Sequence, residues 1–415
     1  MRKFILTPVV CLTTIISIPL LFSGCKKNNG RTFTYTMTTP VLKAKSLVFA
    51  GINGKASQPV QQAGKIYAKD NYIFLNEVNK GIHIINNIDP AHPVQVNFLN
   101  IPGNLDIAIK GHTLYADMNA DLLAIDISNP KKVVIEKDLP NFFTARGYFA
   151  DTSMVAVDWI KKDTTVTIPE SPYPGPFYDA GGGIALGTVA PTSSTRSGVA
   201  GSMAAMILMN NYIYAITEPH SVGIVNISNE ASPVFVSAFN AGFDLETMYP
   251  FEDKLFLGSS IGLFMYDMSD PEHPSPLGQF SHGRACDPVV TDGNYAYVTL
   301  HAGSMCGGDA NELNIVDVKD LMNPTLIKTY PLTKPTGLSK DGNLLFICDD
   351  NSGVRVYDAE APSDIKLLKQ LDCKNSYDVI AANGHALVVA DDGLYQYDYS
   401  NLNNIRQISF FSLKN

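Results

Sequence analysis

The chain has 415 residues, 45% of them hydrophobic and 17% charged, and a formal net charge of −9. That balance is globular and supplies enough apolar residues for a large core. Acidic charge spread without basic clusters excludes the footprint that nucleic-acid phosphates require, and it favours solubility without naming a ligand.

Residues 1–24 form a separate object. Met1-Arg2-Lys3 supplies positive charge, an apolar stretch follows, and small residues close it, the pattern of a secretory signal. Pro8, Pro19 and several threonines interrupt the stretch, which argues against a retained transmembrane helix. The closing run Leu21-Phe22-Ser23-Gly24-Cys25 resembles the lipobox of bacterial lipoproteins. The resemblance implies cleavage before Cys25 and its acylation, palmitate included; two or more acyl chains hold a protein on a bilayer stably. Residues 25–62 are then the lipidated cysteine, a tether and an N-terminal extension. Lys26 and Lys27 place no acid after Cys25, which directs the expectation to the outer membrane, on its periplasmic side or its surface.

From residue 63 to 415 the chain repeats itself. Ile82-His-Ile-Ile-Asn86 returns as Leu122-Leu-Ala-Ile-Asp126, Val222-Gly-Ile-Val-Asn226, Leu263-Phe-Met-Tyr-Asp267, Leu313-Asn-Ile-Val-Asp317, Val354-Arg-Val-Tyr-Asp358 and Leu394-Tyr-Gln-Tyr-Asp398. The spacings of 40, 100, 41, 50, 41 and 40 residues define a period near 40. Within a unit, four short segments alternate apolar and polar residues, rich in aromatic and β-branched types. Pairs such as Asp70-Asn71, Asn210-Asn211, Asp292-Gly293, Asp341-Gly342 and Asn383-Gly384 supply hairpin turns between the first two segments. Each unit reads as a four-stranded antiparallel meander that cannot cover its own faces, so the expected fold is all-β, a β-propeller. The repeated Asp or Asn is read as the acceptor that opens the turn to the fourth strand.

Seven units are explicit. A hairpin at 142–160, completed by segments on either side of an insertion, makes eight blades the expected count and seven the alternative. Residues 170–203, rich in Pro, Gly and Ser, read as a long loop insertion.

The run of units with the pattern [Gly/Leu]-x-Ile-[Ile/Val]-Asp-x-Ser-x-Pro is similar to the LVIVD-repeat family of extracytoplasmic β-propellers over about residues 63–413. The resemblance implies architecture; its motif consists of blade-packing residues and says little about chemistry.

In such a meander the start of the first strand and the loop after the second lie on one face, the top, where loops on a rigid scaffold carry function. His282, Arg284, Asp287 and His301 bring a cation, an acid and two imidazoles to that face of one blade. Arg284 suits an anionic ligand through its bidentate fork, and a salt bridge with Asp287 is the bland alternative. Cys286 and Cys306 map to the same top and are expected to pair as a disulfide. A metal held by those thiols with His282 and His301 lacks close ligand spacing. Cys348 and Cys373 form a second bridge or stay buried and free. Asp106, Asp287 and Asp378 each begin an innermost strand, so a carboxylate ring that holds Ca²⁺ is one reading and structural acids are the other. Gly258 to Gly262 matches G-x-S-x-G but joins two strands, not a strand and a helix, so it is a turn.

The functional expectation is a binding or scaffolding module, anchored by lipid in the cell envelope, monomeric, with an envelope protein or glycan as partner. The alternative is a hydrolase or lyase that uses top-face carboxylates, with or without Ca²⁺. A quinone-dependent dehydrogenase would rest on fold analogy alone.

Overall fold

The computed structural model of the chain describes residues 30–54, 59–147, 151–169, 202, 204–283, 288–302 and 308–412. The chain divides into two compact units, one of residues 38–161 and 184–415 and one of residues 1–37 and 162–183. Cys25, Arg284, Cys286, Asp287, Cys306 and most of the 170–203 insertion lie outside the described residues.

The larger unit holds seven four-stranded antiparallel sheets, each built from four consecutive strands. Blade 1 is Ala63–Lys69, Tyr72–Glu77, Gly81–Asn86 and Val94–Asn100; blade 2 is Ile107–Lys110, Thr113–Met118, Asp121–Asp126 and Val134–Leu139. Blade 3 is Met206–Met209, Tyr212–Glu218, Ser221–Asn226 and Val234–Asn240; blade 4 is Leu245–Phe251, Lys254–Ser259, Gly262–Asp267 and Ser275–Ser281. Blade 5 is Val289–Thr291, Tyr295–Leu300, Glu312–Asp317 and Thr325–Pro331; blade 6 is Leu338–Asp341, Leu344–Cys348, Val354–Asp358 and Lys366–Leu371. Blade 7 is Ser376–Ala382, His385–Ala390, Gly393–Asp398 and Arg406–Ser412. The first strands adjoin one another in a closed ring in which blade 1 meets both blade 2 and blade 7.

The strand period of two explains why the ring closes. In blade 2, Leu114, Ala116, Leu123 and Ile125 join a buried cluster shared with blade 1, whereas Tyr115, Leu122 and Ala124 join one shared with blade 3. Alternate side chains on a strand point to opposite faces, so every middle strand has two apolar faces and needs a neighbour on each. The remaining clusters repeat the arrangement, one between each further pair of neighbouring blades, including blades 7 and 1. The fourth strands are the exposed edges, and each shows a register shift against its third strand. A bulge twists such an edge away from foreign pairing.

The seven repeated acids and amides are turn residues, as their spacing indicated. A side-chain oxygen of Asn86, Asp126, Asn226, Asp267, Asp317, Asp358 and Asp398 accepts the backbone N–H two residues on, at 2.7 to 3.0 Å. At the inner hairpins Asp70, Asn210 and Asn383 adopt φ of 52°, 54° and 53°, the left-handed conformation that Asp and Asn tolerate.

Among the described residues the structure has seven blades, not the expected eight. Met154–Pro169 is one continuous strand that pairs with Gly30–Ala44 in a two-stranded sheet, and Thr144–Arg146 is a single 3-10 turn. No turn signal interrupts Lys161-Lys162-Asp163, so the second half of the supposed hairpin runs on as one strand to Pro169, while its first half holds the 3-10 turn. Blade 3 directly neighbours blade 2 through their first strands.

Before blade 1 the chain packs onto the ring. Val48 and Ile52 enter the core between blades 1 and 2, and the Lys45 ammonium lies 2.7 Å from Asp121 and 2.8 Å from Asp138 of blade 2.

In the smaller unit, Thr34 Oγ1 lies 3.0 Å from Thr165 Oγ1, and Thr36 Oγ1 donates to Asp163 Oδ1 at 2.7 Å. No helix among the described residues is long and apolar enough to cross a membrane.

Candidate functional site

Asp378, Lys65 and Asp106 stand at equivalent positions near the starts of the first strands of blades 7, 1 and 2, and the ring brings these three groups together. Lys65 Nζ lies 2.6 Å from Asp106 Oδ1 and donates to the Met206 carbonyl at 3.0 Å. The second oxygen of Asp106 accepts the amides of Ala205 and Met206, both at 2.8 Å. One carboxylate therefore ties blade 2 to blade 1 through a cation and to blade 3 through two backbone donors. Lys65, Asp106 and Met206 are buried.

Asp378 is the unusual member. Its Oδ1 accepts the Val379 amide at 2.9 Å, while its Oδ2 is buried without a hydrogen-bond partner. Burial pushes its carboxyl well above the usual range; the Val379 amide and Lys65 oppose that shift, and the charge of Asp106 adds to it. Asp378 is thus a carboxyl inclined to keep its proton beside a lysine already paired with another acid.

Ser202, wholly buried and just before blade 3, accepts the amide of Leu338 in blade 6 on its Oγ at 2.9 Å. Asp106 and Asp378, read together with Asp287 either as a carboxylate ring for Ca²⁺ or as structural acids, both accept backbone amides at the strand starts, and Lys65 pairs with Asp106. Among the described residues no group of three or more His, Cys, Asp or Glu could hold a metal ion.

The ends of the second strands repeat the same use of acids. Asp117, fully buried, accepts the Asn104 amide group at 2.7 Å and the backbone amides of Leu105 and Asp106 at 2.8 and 3.0 Å, and pairs with Arg146. Arg146 lies over the Phe143 ring, 4.2 Å from its centre, and burial pulls its guanidinium down to about 10 while Asp106 opposes the shift. In blade 6, Asp349 accepts the amides of Thr333 and Lys334 at 2.9 and 2.8 Å and meets Arg355 Nε at 2.8 Å. Each acid locks the connection between one blade and the next, so these carboxylates act as clasps.

His301 ends the second strand of blade 5 and is 5% exposed; its Nδ1 has no hydrogen-bond partner, and burial, with Lys334 nearby, lowers its pKa and favours the neutral ring. His282 follows the outer strand of blade 4, with Nδ1 2.6 Å from the Gly283 carbonyl oxygen. Arg284, Asp287 and the Cys286–Cys306 pairing lie outside the described residues. Cys348 and Cys373 are free and buried in the core between blades 6 and 7. Burial raises both thiols, Cys373 to about 12.

Sequence reasoning missed Lys65, the Asp117–Arg146 and Asp349–Arg355 pairs, and an aromatic contact on the same face. Lys65 had a signal, since it precedes Ile66 as Asp106 precedes Ile107. The aromatic contact had none: Phe243, 49% exposed before blade 4, lies against His220 of blade 3 with ring centres 5.0 Å apart.

A model of the family described as LVIVD repeat matches residues 104–136, 200–241 and 282–331. No curated protein matches the chain in sequence. Among solved structures, the computationally designed Ika8 protein is similar with a TM-score of 0.52 at 8% identity, over 86% of this chain and 88% of that one. Sqt1 of Saccharomyces cerevisiae is similar with 0.51 at 8%, over 85% of each, and BamB of Moraxella catarrhalis with 0.50 at 9%, over 81% and 84%. At such identities the likeness is one of fold. The chain is thus a seven-bladed β-propeller in which the LVIVD repeat model matches at three places.

Proposed function

We propose that this propeller is a binding or scaffolding module of the bacterial envelope, tethered at the outer membrane through acylated Cys25 and presenting its top face, as a monomer, to an envelope protein or glycan. The observation that carries the reading is how the top-face acids are spent. Asp106, Asp117 and Asp349 are buried and bound to the backbone amides of neighbouring connections. Such clasps hold the loops of the rim in fixed positions, which is what recognition by preorganised surface needs. The exposed Phe243–His220 pair offers the kind of aromatic anchor around which interface energy concentrates.

The test is capture from envelope extracts with the processed chain, compared with a Phe243→Ala/His220→Ala variant, and labelling of Cys25 with a palmitate analogue. A partner or glycan retained by the wild type and lost by the variant supports the reading. A wild-type chain that retains nothing from any extract overturns it, and an unlabelled Cys25 removes the anchor.

A further inference from the structure

The smaller unit leaves an apolar face in water. Thr34 and Thr36 share a face of the two-stranded sheet with Thr165 and Asp163, because their side chains meet. Alternation then places Phe33, Tyr35 and Met37 on the opposite face, with Val166, Thr164 and Lys162 beside them. Phe33 is 50% exposed, Tyr35 51%, Met37 45% and Val166 40%, and Lys162 is exposed as well. Two strands alone have no second layer, and an apolar face on such a ribbon calls for cover from outside.

We propose that this face lies on the membrane that carries the anchor, with Phe33, Tyr35, Met37 and Val166 in the headgroup region and Lys162 on anionic lipid. The inference rests on the reading of Cys25 as the acylated residue. Eight residues separate Cys25 from Phe33, a reach of at most about 28 Å when fully extended, so the face cannot leave the neighbourhood of the bilayer. Aromatic side chains suit the interface because their rings bury while their polar edges stay wet, and juxtamembrane lysines are drawn to anionic headgroups. Lys26 and Lys27 add charge of the same sign beside the anchor. The opposite face, with Thr34, Thr36, Asp163 and Thr165, is polar and remains in water. An acyl anchor joined to a peripheral apolar face also orients the chain, where acyl chains alone only retain it.

The experiment separates the anchor from the ribbon. The processed chain carrying Cys25→Ser, hence free of lipid, is floated with vesicles of phosphatidylethanolamine and phosphatidylglycerol and with vesicles of phosphatidylcholine. Wild-type ribbon is expected to float with the anionic vesicles, and Phe33→Ser/Tyr35→Ser/Met37→Ser to lower the bound fraction at least about fivefold. Lys162→Glu should lower binding to the anionic vesicles alone. Leu326→Ser/Leu367→Ser, on exposed sites of the outer strands of blades 5 and 6, should change nothing. As a check that does not depend on deleting apolar groups, Tyr35→Trp in a Trp159→Phe background should shift its emission to the blue and be quenched by brominated lipid. Circular dichroism confirms that each variant is folded. Equal flotation of the wild type and the triple variant, or vesicle binding by neither while the ribbon cross-links to an envelope protein, overturns the inference. If Cys25 proves acylated and the ribbon does not partition, the anchor stands and this inference falls. If Cys25 carries no lipid and the ribbon partitions, the inference stands and the anchor falls.

Discussion

Asn87 of blade 1 and Gln396 of blade 7, 309 residues apart, exchange amide hydrogen bonds: Asn87 Nδ2 donates to Gln396 Oε1 at 3.1 Å and Gln396 Nε2 donates back to Asn87 Oδ1 at 2.8 Å. Each of these blades is made of consecutive strands, so no strand crosses the seam where the ring closes. Side chains hold it: this pair and the cluster of Ile66, Ile73, Leu75, Leu387, Val389 and Leu394. Gln396 is fully buried, and removing either amide strands the other. Asn87→Ala or Gln396→Ala should each cost about 1–3 kcal/mol, and the double variant should cost less than the two together. Urea denaturation of the four chains measures the coupling; strict additivity would show that the pair contributes nothing across the seam.

Lys65 is the cation between two buried acids. Lys65→Met leaves Asp106 with a charge and no counter-charge, and should destabilise the chain by about 3–5 kcal/mol near neutral pH. Lys65→Met/Asp106→Asn removes the stranded charge and should recover part of that loss. Equal denaturation midpoints for wild type and Lys65→Met would show that the pair does not hold blades 1 and 2 together.

Asp378 gives a pH dependence of definite sign. Its folded pKa is raised, through burial first, so the folded state binds its proton more tightly than the unfolded chain does. The associated stability is complete below the unfolded value of about 4 and is lost as pH rises through the folded value. Asp378→Asn cannot ionise and should escape that loss. Melting temperatures of variant and wild type should nearly coincide at the acid end and diverge, variant above wild type, as pH rises. A variant less stable than wild type at alkaline pH would contradict the assignment.

Cys348 and Cys373 should be silent towards thiol reagents in the folded chain. Both are buried, and burial lifts their thiols well above the range in which thiolate forms at neutral pH. Peptide mapping after labelling should find them unmodified before denaturation and modified after it. Labelling at the native rate of an exposed thiol would place them at the surface.

The repeat itself was legible because it is local. A run such as Leu122-Leu-Ala-Ile-Asp126 sets strand, turn and Asx acceptor within a few residues, and all seven Asx turns form as the spacing indicates. Period-two alternation on both faces further requires a partner on each side of every blade, which leaves a closed ring as the economical answer. Blade number was not legible, because Met154–Pro169 has the pattern of strand wherever its partner comes from, and that partner is Gly30–Ala44, over a hundred residues earlier. The site divided in the same way. Asp106 and Asp378 could be placed at strand starts from the repeat, but Lys65 between them depends on blade 7 meeting blade 1, a contact between the two ends of the chain. Sequence by itself determined what each segment does within its own forty residues; only the tertiary structure decided which segments meet, since burial, ion pairing and a raised carboxyl pKa belong to neighbours that the chain brings together from afar.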